Sequence, residues 1–168
     1  MTTFTTPDVR SLRAAALAAA LLLASPALSQ RGGSGPFDGL SGSWQGNGTI
    51  QLASGNNERI RCRATYTVGN DGNALQQNLR CASDSYRFDL TSTVVSQGGS
   101  LSGSWQETTR NLAGTVSGQA SPGQVQARVS SPVFSADLSV STRGNRQAVT
   151  ISSQSPELRG VSIDLRRG

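Results

Sequence analysis

The chain has 168 residues, and its 15 basic residues are all arginine, with no lysine and no histidine. Against 10 acidic residues the formal net charge is +5, a mild excess that names no partner by itself. A Ser-His-Asp triad, a Cys-His pair, a Schiff-base lysine and a histidine-held metal or haem therefore cannot be assembled.

The chain begins with a targeting pattern. Arg10 and Arg13 precede an unbroken apolar run from Ala14 to Ala24, and Ser25-Pro26-Ala27-Leu28-Ser29 supplies small residues before a cut. Residues 1–29 read as a signal peptide cleaved after Ser29. The apolar run is shorter than the roughly 20 residues that span a bilayer, so no transmembrane segment is expected after its removal. With no cysteine near the cut, the bacterial lipoprotein route is closed. The expected product is exported, periplasmic or secreted, soluble or peripheral, and monomeric. Residues 30–168 carry 13 arginines against 9 acidic residues, and export argues against a nucleic-acid partner.

Residues 30–39 are rich in Gly and Ser and lack periodicity, which predicts a flexible leader with Phe37 tucked against the domain that follows. From residue 40 to 168, segments of strict alternation succeed one another, each bounded by turn residues. The first places Trp44, Gly46, Gly48 and Ile50 on one face. The second places Ile60, Cys62, Ala64, Tyr66 and Val68 inward, with Arg59, Arg61 and Arg63 outward. Asp71-Gly72 suits a tight primed turn, after which Leu75, Gln77, Leu79 and Cys81 resume the pattern. A hairpin centred on Asp71 and Gly72 sets Cys62 opposite Cys81. In an oxidising compartment that predicts a disulfide.

Further strands follow. The fourth is expected to turn Tyr86, Phe88, Leu90 and Val94 inward, and the fifth Leu101, Gly103 and Trp105. Later segments carry Leu112 to Gly118, Val125 to Val129, Phe134 to Val140, Val149 with Ile151, and Val161 to Leu165. No stretch of 11 residues shows helical spacing. The fold class is all-β: a single antiparallel up-and-down meander of about ten strands, because the short connections exclude parallel crossovers. Such a meander with one apolar face closes into a barrel, and the inward glycines Gly46, Gly48, Gly103, Gly114 and Gly118 suit tight curvature. The alternative is a two-sheet sandwich.

The hexapeptide Leu-Ser-Gly-Ser-Trp-Gln occurs at Leu40 to Gln45 and again at Leu101 to Gln106. It is either the trace of a duplication placing two tryptophans at related positions or a good strand start that arose twice. The first copy opens the first strand with Gly42-Ser43-Trp44. In this it resembles the lipocalins and the wider calycin group, which includes avidins and small bacterial protease inhibitors; in general make-up it also resembles exported proteins of Gram-negative bacteria. The resemblance implies a ligand-binding barrel in which an arginine near the last strand, Arg166 or Arg167, covers Trp44.

Three functional expectations follow, none catalytic and none needing a cofactor or metal. The first is a small apolar ligand in a cavity lined by Trp44, Tyr66, Tyr86, Phe88, Trp105 and Phe134, unless those rings simply fill the core. The second is an outer anion patch of Arg59, Arg61, Arg63, Arg80 and Arg87 that meets an anionic lipid, a lipopolysaccharide or an acidic partner. A turn at Ser83-Asp84 sets Arg80 between Arg63 and Arg87, like charges side by side. The competing reading is a solubilising face relieved by Asp89 and Glu58. The third, inhibition of an exported protease, comes from the calycin resemblance alone. Carboxylate catalysis needs two converging acids. Asp89, Asp137 and Asp164 face outward, and Glu107, the one acid at an inward position, reads as an exposed strand end.

Overall fold

The computed structural model describes residues 34–168 apart from residue 154. The signal peptide expected over residues 1–29 lies outside the described residues. The alternation becomes ten strands: β1 (Gly42–Leu52), β2 (Asn57–Gly69), β3 (Ala74–Ala82), β4 (Arg87–Gln97), β5 (Ser100–Glu107), β6 (Leu112–Ser121), β7 (Gln124–Ser131), β8 (Phe134–Arg143), β9 (Arg146–Ser153) and β10 (Leu158–Arg167). Each pairs antiparallel with the next, and β10 returns to pair with β1, closing the sheet. Closure leaves no open edge and turns the apolar face inward, so the barrel, and not the sandwich, is the architecture.

Curvature has a visible cause at two inward glycines. A Cβ on Gly46 would lie 1.8 Å from the carbonyl oxygen of Asp164, and one on Gly114 would lie 1.9 Å from that of Ser130. Only glycine lets the neighbouring backbone come so close where the wall bends.

The β2–β3 hairpin has the expected register. Cys62 faces Cys81 and Arg63 faces Arg80. The Asn73 N–H donates to the Asn70 carbonyl at 3.0 Å. Asp71 and Gly72 take φ of 50° and 83°, the primed geometry that Asp-Gly favours. Cys62 and Cys81 are disulfide-bonded, with Cα atoms 4.1 Å apart.

The next connection departs from expectation. The Ser83 N–H donates to the Tyr86 carbonyl at 2.9 Å, and the Tyr86 N–H donates to Ser83 Oγ at the same distance. The turn thus centres on Asp84-Ser85, one residue later than expected. Arg80 therefore faces Asp89, while Arg87 faces Ala82. The expected row of Arg63, Arg80 and Arg87 does not form, and Tyr86 lies in the connection instead of on β4.

One end of the barrel is stoppered. The Gly35 N–H donates to the Asp71 carbonyl at 2.9 Å and the Phe37 N–H to the Gly72 carbonyl at 3.0 Å, which seats residues 35–40 on the β2–β3 turn. Phe37 is 0% exposed and joins the core cluster. The β4–β5, β6–β7 and β8–β9 connections at this end are two-residue turns. At the other, loop end, four of the five connections have four residues.

Candidate functional site

The stoppered half of the interior is committed to packing. Trp44 is 1% exposed; its indole N–H donates to the Leu40 carbonyl at 2.8 Å, and Tyr66 stands edge-on to it. The Arg167 guanidinium lies 4.8 Å from the Trp44 ring centre and donates to the Ser41 carbonyl at 3.1 Å. Arg167, not Arg166, thus covers the first-strand tryptophan, with a cation–π contact as one cause. Burial pushes the Tyr66 phenol above its ordinary value, so it stays protonated and donates to Gln147 Oε1 at 2.7 Å. Gln147 in turn donates to Thr142 Oγ1 at 3.0 Å.

A polar row crosses the interior from there. Tyr66 faces Gln77, Gln77 faces Ser92, and Ser92 faces Trp105 on successive strand pairs. The row ends in an unmet donor. Trp105 is 7% exposed, and its indole lies over its cross-strand partner Gly114, where a Cβ would come 2.8 Å from the ring nitrogen. The Trp105 N–H and the Ser96 hydroxyl are buried with no hydrogen-bond partner among the described residues. Toward the loop end several inward side chains are apolar and only half-buried: Ile50, Phe88, Leu112, Phe134 and Ile151. Of the six aromatic residues expected to line a cavity, Trp44 and Tyr66 are thus structural and Tyr86 sits in a loop. Phe88, Trp105 and Phe134 remain on the half away from the stopper.

The repeated hexapeptide does not give its tryptophans equivalent places. Trp44 is the third residue of β1 and Trp105 the sixth of β5, strands that run in the same direction from the stoppered end.

Glu107 is a correction of another kind, because it is 1% exposed instead of being an exposed strand end. Its carboxylate accepts the N–H groups of Asp89 (3.1 Å), Thr109 (2.9 Å) and Arg110 (2.9 Å), and the Thr109 hydroxyl. Burial alone would raise its pKa; the Thr109 hydroxyl and these backbone donors outweigh it and hold the carboxyl below its ordinary value. It clamps the β5–β6 turn. The Asp89 side chain is engaged elsewhere, with Arg80 at 3.0 Å, so the two acids do not converge.

Outside, Arg59, Arg61 and Arg63 line β2 in the expected outward positions, with Arg80 and Arg87 exposed beside them. The closed sheet adds three arginines that sequence reasoning passed over. Arg63 faces Gln45, Gln45 faces Arg166, Arg166 faces Arg146, and Arg146 faces Arg143. The last pair could have been found, since Arg143 and Arg146 flank the Gly144-Asn145 turn. Arg166 joins only because β10 closes on β1.

Similar folds are found among solved structures. Rv2717c from M. tuberculosis superposes with a TM-score of 0.58 at 12% identity, covering 79% of this chain and 93% of that one. The S-type phycobiliprotein lyase CPES from Guillardia theta superposes with a TM-score of 0.52 at 11% identity, covering 76% and 88%. At such identities the likeness is one of fold alone, that of the closed antiparallel barrel. No protein-family model and no curated protein sequence matches the chain.

Proposed function

We propose that this chain is an exported, non-catalytic binding protein whose barrel takes up a small, mostly apolar ligand carrying one hydrogen-bond acceptor. The observation that carries the reading is the unmet indole N–H of Trp105, buried at the end of a polar row within an interior stoppered at one end. A buried donor without a partner costs about 1–3 kcal/mol, a cost that a ligand acceptor would offset. The half-buried rim of Phe88, Leu112 and Phe134 is the entry such a ligand would use, because the opposite end is sealed by Phe37 and Trp44. The fold likeness to a phycobiliprotein lyase is compatible with this reading and carries no residue-level weight.

Tryptophan emission of the full-length gene product, titrated with naphthalene and with acetonaphthone, tests it. Both should quench saturably, and the ketone should bind about fivefold more tightly, the worth of about 1 kcal/mol for one neutral hydrogen bond. Trp105→Phe should remove that preference while leaving naphthalene bound. Linear, unsaturable quenching by both compounds would sink the proposal.

A further inference from the structure

The outer wall is two-sided, and the division follows the strand registers. Across β5, β6 and β7 the outward residues are almost all Ser, Thr, Gln or Ala. The single arginine there, Arg128, is held by Asp137 at 2.8 Å. Across β3, β2, β1, β10, β9 and β8 one cross-strand row reads Arg80, Arg63, Gln45, Arg166, Arg146, Arg143. Asp89, bonded to Arg80, is the only acid within 4.0 Å of that row's guanidinium groups among the described residues. Glu58, the other acid expected to relieve the patch, accepts the Ser85 N–H at 2.9 Å instead. Like charges facing each other cost up to about 1 kcal/mol per pair, so this arrangement works against the sheet unless something anionic covers it.

We infer that the row is a binding track for a linear polyanion, an extended chain bearing carboxylate, phosphate or sulfate groups. The want of exposed apolar groups beside it favours such a chain over a membrane. The row crosses five of the ten strand-to-strand intervals on a slant, from Arg80 near the loop end of β3 to Arg143 at the stoppered end of β8. At about 4.8 Å per interval it is about 24 Å long. A flexible chain can follow the curve. Among the described residues the one large apolar side chain left fully exposed is Val133, in the β7–β8 connection, so the track carries no wedge for lipid. Each guanidinium is a planar fork able to grip an oxyanion with two donors, and the strand spacing fixes one fork every one or two intervals. Arg61 and Arg59, next along β2, widen the track near its Arg80 end.

The test uses protein recovered from expression of the full-length gene, with polyphosphate, polygalacturonate and heparin as separate probes and oligomers of defined length. Affinity should rise with length until the oligomer spans about 24 Å and then level off. R63S/R146S/R166S should weaken binding at least tenfold and reduce the salt slope by about 2, at roughly 0.7 for each guanidinium removed. R110S/R128S/R159S removes as many charges away from the row and should cost less than threefold. R63K/R146K/R166K keeps the charge without the forks, guards against a folding defect of the serine variant, and should lose about threefold. The probe bound best identifies the oxyanion. The inference is overturned if both serine variants lose affinity equally, if affinity ignores oligomer length, or if anionic vesicles outcompete the polymers at equal charge. Apolar-ligand quenching is independent of these outcomes, so either proposal can fail alone.

Discussion

Glu107 shows how a single carboxylate can be buried without becoming a catalyst. Its two oxygens take four donors from one turn and its neighbour strand. With the folded pKa below the ordinary value, the stability it lends is complete above the usual carboxylate range. That stability is lost as pH falls through the folded value. Glu107→Gln places an amide N–H₂ where acceptors are needed, and should cost about 1–3 kcal/mol at neutral pH. Urea melts at pH 7 and in the acid range should show a shallower acid loss for the variant than for the parent; parallel losses would refute the clamp. The sequence exposed the inward parity of Glu107 but not its burial, because the backbone donors that satisfy it carry no residue-type signature. Trp44 was more legible, since the calycin resemblance of its Gly-x-Trp strand start implied a covering arginine near the last strand, leaving Arg166 and Arg167 open until the structure gave Arg167.

The β2–β3 hairpin was readable because two independent signals, the Asp-Gly turn and the cysteine pair, agree on one register. The β3–β4 connection offered no such agreement. Moving its turn centre by one residue shifts the pairing by two, which preserves which side chains face inward. Alternation is therefore blind to the choice, and only the Ser83 to Tyr86 hydrogen bonds decide it. The disulfide acts on this element chiefly through the unfolded chain, where it closes a segment with a sequence separation of 19. C62A/C81A should lose about 3 kcal/mol, and reductant should lower the parent by a similar amount. Denaturant midpoints with and without reductant check this, and a parent insensitive to reduction would contradict it.

At the scale of the whole molecule, one wall carries the arginine row, the opposite wall is neutral, and the interior is sealed at a single end. The stopper makes a direct prediction. Phe37→Ala should cost about 3 kcal/mol, within the range for truncating a fully buried phenylalanine, and should shift Trp44 emission to the red as water reaches it. An unchanged midpoint and spectrum would mean that residues 35–40 do not seal the barrel. The ten-strand meander was legible throughout, because alternation and short connections leave few other arrangements. The arginine row was not, because two of its members meet the others only across the seam between the first and last strands. That seam has a further consequence. β1 gains its second partner only when β10, nine strands later in the chain, arrives. Until β10 docks, β1 therefore holds an unpaired ribbon edge, and any factor that delays that docking prolongs its exposure to cross-pairing with other copies.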